Sequence, residues 1–431
     1  MSVASFPQKA RSWLGPLPQG WGTYPLKHVA AINRATLSDN TDPDYEIEYI
    51  DISTVALLEG IKETETLAFE NAPSRARRIV CSGDVLISTV RTYLRAIARV
   101  DEALPNLIAS TGFAVVTPGE MLESTYFGLF ATSDPFVEAI VAQSVGASYP
   151  ATNSADIARL HIPVPPLETQ RRIATFAQQK IAQLDDLIAK KRDLLKLLAE
   201  KRAALITRAV TKGLNPNAPM KPSGIDWLGE IPAHWEVLPI RRLSHSVKTG
   251  ATPPSNGPDY FTDGTVNWYA PGDFTSLTLG GSTKKLRPEA FTEDAAKQFP
   301  ANCVLMVGIG ATLGKVGHAS QSCSGNQQVN AITTNQRILP FFLALFLNSH
   351  IEEVRMLANS STIGILNQQK TKSLTVCVPP LGEQEKIIEL ALAEMTVEEN
   401  ARRVIEATVE RLTEYRAAIV TKAVTGELEV T

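Results

Sequence analysis

Long apolar runs are missing from this 431-residue chain. No stretch of some eighteen consecutive apolar residues occurs, which argues against a membrane-spanning helix. The first residues, Met1-Ser2-Val3-Ala4-Ser5-Phe6-Pro7, lack the apolar centre of a secretory signal, so the expected location is the cytoplasm. Cysteine is scarce. Cys81, Cys303, Cys323 and Cys377 show neither close-paired metal spacing nor a disulfide framework, and reduced, mostly buried thiols are expected. The histidines (His28, His161, His234, His245, His318, His350) are scattered without a repeated acidic or cysteine companion, so neither a metal site nor a catalytic base is expected. An excess of positive charge is also absent: 42 Lys and Arg stand against 45 Asp and Glu, a net charge of −3. That excludes a surface coated in cations. It does not exclude nucleic acid, because binding depends on where Lys and Arg cluster.

What is present is a duplication. Trp13-Leu14-Gly15, Pro18, Trp21 and Pro25 return 214 residues later as Trp227-Leu228-Gly229, Pro232, Trp235 and Pro239. Val164-Pro165-Pro166-Leu167 with Gln170 and Ile173 returns at the same offset as Val378-Pro379-Pro380-Leu381 with Gln384 and Ile387. So do Glu200, Arg202-Ala203-Ala204, Thr207 and Ala209-Val210-Thr211, as Glu414, Arg416-Ala417-Ala418, Thr421 and Ala423-Val424-Thr425. One domain-plus-helix unit has been copied, giving two similar but non-identical faces.

The organisation expected is an arm (1–14), a first domain (15–164), a central helix (165–212), a linker (213–228), a second domain (229–378), a C-terminal helix (379–426) and a tail (427–431). Each domain mixes short apolar runs, such as Ile47-Glu48-Tyr49-Ile50-Asp51-Ile52 and Val85-Leu86-Ile87-Ser88, with turn signals such as Ser82-Gly83-Asp84, and a helix is expected near 122–131. This suggests an α+β, mixed α/β class. Glycine and proline vanish between 167 and 211, where helix-forming residues dominate. Ile181, Leu184, Ile188, Leu195, Leu198 and Leu205 follow a 3-4 spacing, with Lys191 and Arg202 where the stripe lapses. The second copy carries Met395, Ile405, Val409, Leu412 and Ile419, with Glu398 and Arg402 breaking the stripe. Each reads as a coiled-coil seam on a rod of roughly 65–70 Å, and an antiparallel pairing of the two is the simplest geometry.

The "W-L-G-x-x-P-x-x-W" opening, the Gly83-Asp84-Val85-Leu86 strand, the "P-P-L-x-x-Q-x-x-I" junction and the "R-A-A-[LI]-[IV]-T-[RK]-A-V-T" helix end, in this order and duplicated, resemble the specificity subunit of Type I restriction-modification systems. The resemblance implies two target recognition domains, each followed by a long helix, with the two helices paired as an antiparallel coiled coil that acts as a ruler. It implies a non-catalytic subunit reading a bipartite, asymmetric site in double-stranded DNA. The implied partners are two methyltransferase subunits, which carry S-adenosylmethionine and methylate adenine at N6, and restriction subunits driven by ATP with magnesium. No cofactor is expected in this chain. None of its Pro-Pro segments fits the [N/D]-P-P-[Y/F] loop that a flipped adenine requires, so a stand-alone methyltransferase is disfavoured. A coiled-coil interaction scaffold without DNA binding remains the alternative.

Candidate DNA contacts follow from residue type and place. Arg75, Arg77 and Arg78 in the first domain, and Lys284, Lys285 and Arg287 in the second, are candidates for phosphate contact, with a solvated loop an equal explanation for any one of them. The glycine-rich segment 307–317 fits neither a dinucleotide nor a P-loop spacing, and its first-domain counterpart, at an offset of 219, is 88–98. A hairpin or loop tip facing DNA is expected there, carrying Thr89, Arg91, Thr92 and Arg95 in one domain and Thr312 and Lys315 in the other, with solvated strand residues an equal explanation for Arg91 and Arg95. Ser110 and Thr111, together with Lys248, Thr249, Thr252, Tyr269, Asn326, Gln327 and Gln328, supply polar groups near the same face, Asn and Gln suiting adenine in the major groove. Ser148 and Thr362 are weaker candidates, while Asn153 and Asn367 are expected to cap or turn the chain and Trp21 and Trp235 to pack against helix ends.

Overall fold

The computed structural model describes residues 13–57, 59–146, 150–358 and 364–430. Residues 1–12 of the expected arm, and the candidates Ser148 and Thr362, lie outside them. The described residues form two compact units, one drawn from Met1–Lys191 with Glu406–Thr431 and the other from Arg192–Ile405. Each unit therefore holds one globular head and one half of each long helix.

The first head is built around an antiparallel sheet in the order Ala30–Ile32, Phe113–Pro118, Val85–Ser88, Ile97–Arg99. Its central strand Val85–Ser88 is buried throughout, which is why it reads as an unbroken apolar run. Alternation then divides its side chains. Val85 and Ile87 meet Tyr126, Phe127, Phe130 and Phe136 from the helices Ser124–Ala131 and Asp134–Ala142, whereas Leu86 joins Ile50, Leu107 and Ala109 of a second sheet. That second sheet orders Glu65–Ala68, Glu46–Ile50, Leu107–Ser110, Ala76–Ile79, with its central pair parallel.

The second head repeats this plan. Its antiparallel sheet orders Ser244–Thr249, Val329–Thr334, Cys303–Val307, Val316–Ala319. Val304 and Met306 face Phe342 and Phe346, while Cys303, Leu305 and Val307 face Tyr269 and Phe299. The companion sheet is smaller, Lys284–Leu286, Val266–Tyr269, Ser324–Gly325. The mixed α+β class read from sequence is thus present in both copies. The linker reading needs adjustment at its end: Met220–Pro222 pairs with Glu230–Pro232, closed on either side by Ser223 N to Gly229 O (2.9 Å) and Ala233 N to Pro219 O (2.7 Å). Of the cysteines, all free thiols, Cys303, Cys323 and Cys377 are buried and Cys81 is exposed.

The long helices span Leu167–Lys212 and Leu381–Thr425. No helix among the described residues is long and apolar enough to cross a membrane. Within the first unit Arg416 Nε lies 3.0 Å from Asp185 Oδ1, and within the second Arg202 pairs with Glu398. Partner numbers climb on one helix while they fall on the other, so the two pack together antiparallel. Ile188, Ile405 and Ile419 are buried, and Ile181, Leu184, Leu195, Leu198, Leu205, Met395, Val409 and Leu412 are half-buried. The lapses in the stripe have a purpose the sequence did not disclose. Glu398, 6% exposed, accepts from both Arg202 and Arg402, the latter at 2.7 Å, so one break in each helix answers the other.

The duplicated motifs fix heads to helices. Gln170, fully buried, accepts from Glu123 N (2.7 Å) and donates to Met121 O (2.9 Å) and Pro165 O (2.7 Å). Gln384 makes the same three bonds, with Leu339 N, Arg337 O and Pro379 O, at 2.8, 3.0 and 2.8 Å. Both helices end on a glycine with positive φ, Gly213 and Gly426, and a Cβ there would crowd Trp235 in one unit, and strike Pro18 and crowd Trp21 in the other. The tryptophans thus do abut helix ends. Asn153 and Asn367 cap the short helices Ser154–Arg159 and Gln368–Ser373, their side chains accepting from Asp156 N and Lys370 N.

Candidate nucleic-acid interface

In the first head, four chain segments meet where the strand Val85–Ser88 ends. Thr111 N donates to Arg75 O at 2.7 Å, and Gly112 O accepts from Thr89 N at 2.8 Å and Thr89 Oγ1 at 2.9 Å. Thr89 O in turn accepts from Thr152 N at 2.8 Å. The short turn Thr92–Leu94 follows directly. Arg75, Thr111 and Arg91 are thereby gathered near one edge of the head, all three exposed, whereas Arg95 pairs with Asp134. Arg75 Nη2 lies 2.8 Å from Asp51 Oδ2, and its Nε donates to Tyr49 Oη at 3.0 Å. The Tyr49 bond, then the charge of Asp51, raises the Arg75 pKa further above its ordinary value. Burial pushes Asp51 up, but bonds from Ser53 and Tyr49 and the Arg75 charge outweigh it and leave Asp51 low. This arginine is held in place as a permanent cation.

Other candidates in this head turn inward. Ser110 and Thr92 are buried, and the Thr92 hydroxyl lies 2.7 Å from that of Ser144. With Thr89 also buried, these three support the turn and do not line its outer surface. The basic segment does not form a single patch either. Arg77 and Arg78 are neighbours on the strand Ala76–Ile79, so their side chains leave opposite faces. Arg77 lies over the Phe69 ring at 4.6 Å and reaches Asp39, while Arg78 Nη1 donates to Thr36 Oγ1 at 3.4 Å.

In the second head the corresponding edge is polar and loop-built. Gly250 N and Ala251 N donate to Val329 O and Gly325 O, both at 2.9 Å, and Asn326 N donates to Tyr269 O at 3.0 Å. Thr252 Oγ1 then reaches Gln327 Oε1 at 2.5 Å, and Asn326 Nδ2 reaches Gln328 Oε1 at 3.1 Å. Thr252 with Gln327 and Asn326 with Gln328 are therefore two bonded pairs on adjoining residues, in which Thr252 and Gln327 are exposed, while Thr249 Oγ1 donates to Asn330 Oδ1 at 2.8 Å. Tyr269 is buried and donates its hydroxyl to Gly280 O at 2.6 Å, which removes it from the outer face. Burial pushes its pKa up to about 12. Lys248, Lys284 and Lys285 are exposed, the last two on an edge strand, whereas Arg287 donates to Asp259 O. Thr312 is half-buried, as is Lys315, whose Nζ lies 3.4 Å from Phe274 O.

Sequence reasoning missed Tyr93 and Leu94, which lie on the first turn at 54% and 49% exposure. It also missed Tyr49 and Asp51, which anchor Arg75 from a strand twenty-odd residues away. The signal for the former was available: two large apolar residues between two arginines in a region with strong turn character.

The model of the Type I restriction modification DNA specificity domain matches residues 18–197 and again 232–390. The chain belongs to this family. Among its relatives is the putative type I restriction enzyme MjaX specificity subunit of Methanocaldococcus jannaschii, 22% identical over 393 residues, covering 87% of this chain and 86% of the relative. The type I restriction enzyme HindI specificity subunit of Haemophilus influenzae is 21% identical over 420 residues, covering 83% and 89%. A chain from a structure of complex assembly and conformational transition in the type I restriction-modification system superposes with a TM-score of 0.74 at 23% identity, over 96% of this chain and 100% of that one. The HsdS subunit of Thermoanaerobacter tengcongensis gives 0.55 at 23% identity, over 96% and 99%. The resemblance carried by the duplicated motifs is thus confirmed, and so is the fold it implied.

Proposed function

We propose that this chain is the DNA-reading, non-catalytic subunit of a Type I restriction-modification complex, each head recognising one half of a bipartite, asymmetric target. The observation that carries this reading is the contrast between a repeated scaffold and unlike edges. Both heads build the same antiparallel sheet and the same glutamine clamp, yet one edge offers arginines and apolar side chains and the other Gln and Thr side chains. Two half-sites of different sequence call for that difference. Arg75, Arg91, Arg95 and Thr111 in the first head, and Lys248, Thr249, Thr252, Lys284, Lys285, Gln327 and Gln328 in the second, are the contacts this reading favours, cations on phosphates and amides on base edges.

The long helices are the proposed seat of two methyltransferase subunits. In the second unit Leu194, Leu197, Val397 and Val404 stand 41%, 61%, 61% and 62% exposed, outside the seam, which is apolar area for a partner to cover. S-adenosylmethionine belongs in this scheme to those subunits, adenine N6 is the methylated atom, and ATP with magnesium belongs to the restriction subunits. The whole acts on double-stranded DNA in the cytoplasm. The test is to map methylated adenines across the source genome with and without this chain. Loss of one bipartite motif is expected, and an unchanged pattern refutes the reading.

A further inference from the structure

The two hairpin turns that close the central strand in each head share left-handed corners but carry different residues there. Across the offset of 219, Arg91 corresponds to Gly310 and Arg95 to Gly314, and all four have positive φ: +49° and +53° for the arginines, +99° and +83° for the glycines. The second head places at these positions the residue that adopts them without strain. The first head keeps two arginines in a left-handed backbone that disfavours any side chain with a Cβ.

Between those arginines the two turns differ again. Leu313 is buried at 7% exposure, but its counterpart Leu94 is 49% exposed, and Tyr93, where the second head has Thr312, is 54% exposed. The turn is not loose. Leu94 N and Arg95 N donate to Arg91 O and Thr92 O at 2.8 and 3.0 Å, Ser88 Oγ donates to Val90 O at 2.6 Å, and the buried Thr92 hydroxyl meets Ser144 Oγ. A rigid turn thus presents an aromatic ring and a leucine flanked by cations. The partner that satisfies both is a duplex, whose base steps accept apolar side chains and whose phosphates accept arginine.

Resting on the reading that the heads bind DNA, we infer that the Arg91–Arg95 turn is a wedge that enters the groove of one half-site. Tyr93 and Leu94 insert at a base step, and Arg91 and Arg95 hold the flanking phosphates. Arg95 leaves its ion pair with Asp134 (3.2 Å) to do so, a small loss because both partners are about half exposed. The second head, with Leu313 buried and glycines at the corners of its turn, has no counterpart. One half-site is therefore read partly through its deformability and the other by hydrogen bonds alone.

The test uses the chain reconstituted with its modification partners and duplexes carrying the methylation motif of the source genome, with 2-aminopurine at successive steps of each half. Away from the adenines that the methyltransferase subunits flip, wild type is expected to show unstacking fluorescence at one step, in one half only. Tyr93→Ala with Leu94→Ala should abolish that signal and weaken binding about tenfold, leaving the salt dependence unchanged. Arg91→Gly with Arg95→Gly should flatten the salt dependence, weaken binding, and hold or raise the thermal midpoint, since the second head already uses glycine there. Wild-type affinity and fluorescence in both variants overturn the wedge while leaving DNA reading intact. A wild-type complex without salt-dependent binding overturns the proposed function and the wedge together.

Discussion

Gln170 and Gln384 show how much one side chain can decide. Each is wholly buried, and its amide bonds two backbone groups of the head and one proline carbonyl of the junction where a long helix begins. Replacing Gln384 with leucine strands Leu339 N, Arg337 O and Pro379 O away from water. Burying unmet polar groups costs about 1–3 kcal/mol apiece, so a loss of about 3 kcal/mol or more is expected in chemical denaturation, and less than 1 kcal/mol would contradict the clamp. His350 is a second such residue. It is 6% exposed, packed on Phe346 and Trp227 with ring centroids 4.5 and 5.1 Å away, and its Nδ1 lies 2.8 Å from Phe346 O. Burial pushes its pKa below the ordinary 6.5, against smaller upward pulls from that carbonyl and from Glu353. The unfolded chain then takes up its proton at a higher pH than the folded one. The contribution is whole above about pH 6.5 and is lost as the pH falls toward the folded value. The thermal midpoint should drop from neutral pH into mild acid, and His350→Phe should lessen that drop. Identical pH profiles for the two proteins would rule this residue out as the cause.

At the scale of elements, the paired helices combine a seam of half-buried aliphatics with one buried ion cluster. Glu398 faces Arg202 and Arg402, whose side chains are 32% and 53% exposed, so water still screens the cations. Removing the carboxylate in Glu398→Ala leaves two arginines facing each other in the seam, and a loss of about 2–3 kcal/mol is expected, below the figure for a fully buried pair. Replacing Arg202 and Glu398 together by leucine should restore or exceed wild-type stability. It should also remove an interaction that a slipped register cannot satisfy, a role best attested for polar residues in coiled-coil seams. Disulfide trapping between cysteines introduced at 195 and 405 against 195 and 412 reads the register directly. A single trapped register in the double leucine variant would show that apolar packing suffices.

For the whole molecule, a net charge of −3 leaves DNA affinity to local cations, not to a general field. Binding by the complex should weaken steeply as salt rises, and removing one phosphate-contacting arginine should lower the slope by about one. Arg75→Ala is the favoured case in the first head, and a slope unchanged by it would place Arg75 off the duplex. Duplication makes the second prediction. Exchanging residues 15–164 for the corresponding domain of a family relative should alter one half of the methylation motif and leave the other intact. Alteration of both halves would mean that the heads do not read independently.

The duplication, the mixed α+β heads, the two long helices and their apolar stripe were determined by the sequence alone. Each is a local property, since hydrophobic periodicity follows backbone geometry and a repeat is visible wherever both copies keep the same constraints. The glutamine clamp and the glycine ends against Trp21 and Trp235 explain why those motifs recur: both copies must join a head to a helix in the same way. The tertiary structure decided which polar residues look outward. Thr89, Thr92, Ser110, Tyr269 and Asn326 have the chemistry of base readers and are buried, because distant segments close over them, and Arg77 and Arg78 part company because strand alternation sends adjacent side chains to opposite faces. It also matched Glu398 to Arg202, and it set Arg91 and Arg95 on the left-handed corners where the sister head has glycine. Such pairings depend on which remote stretches meet in space, and neither composition nor spacing carries that information.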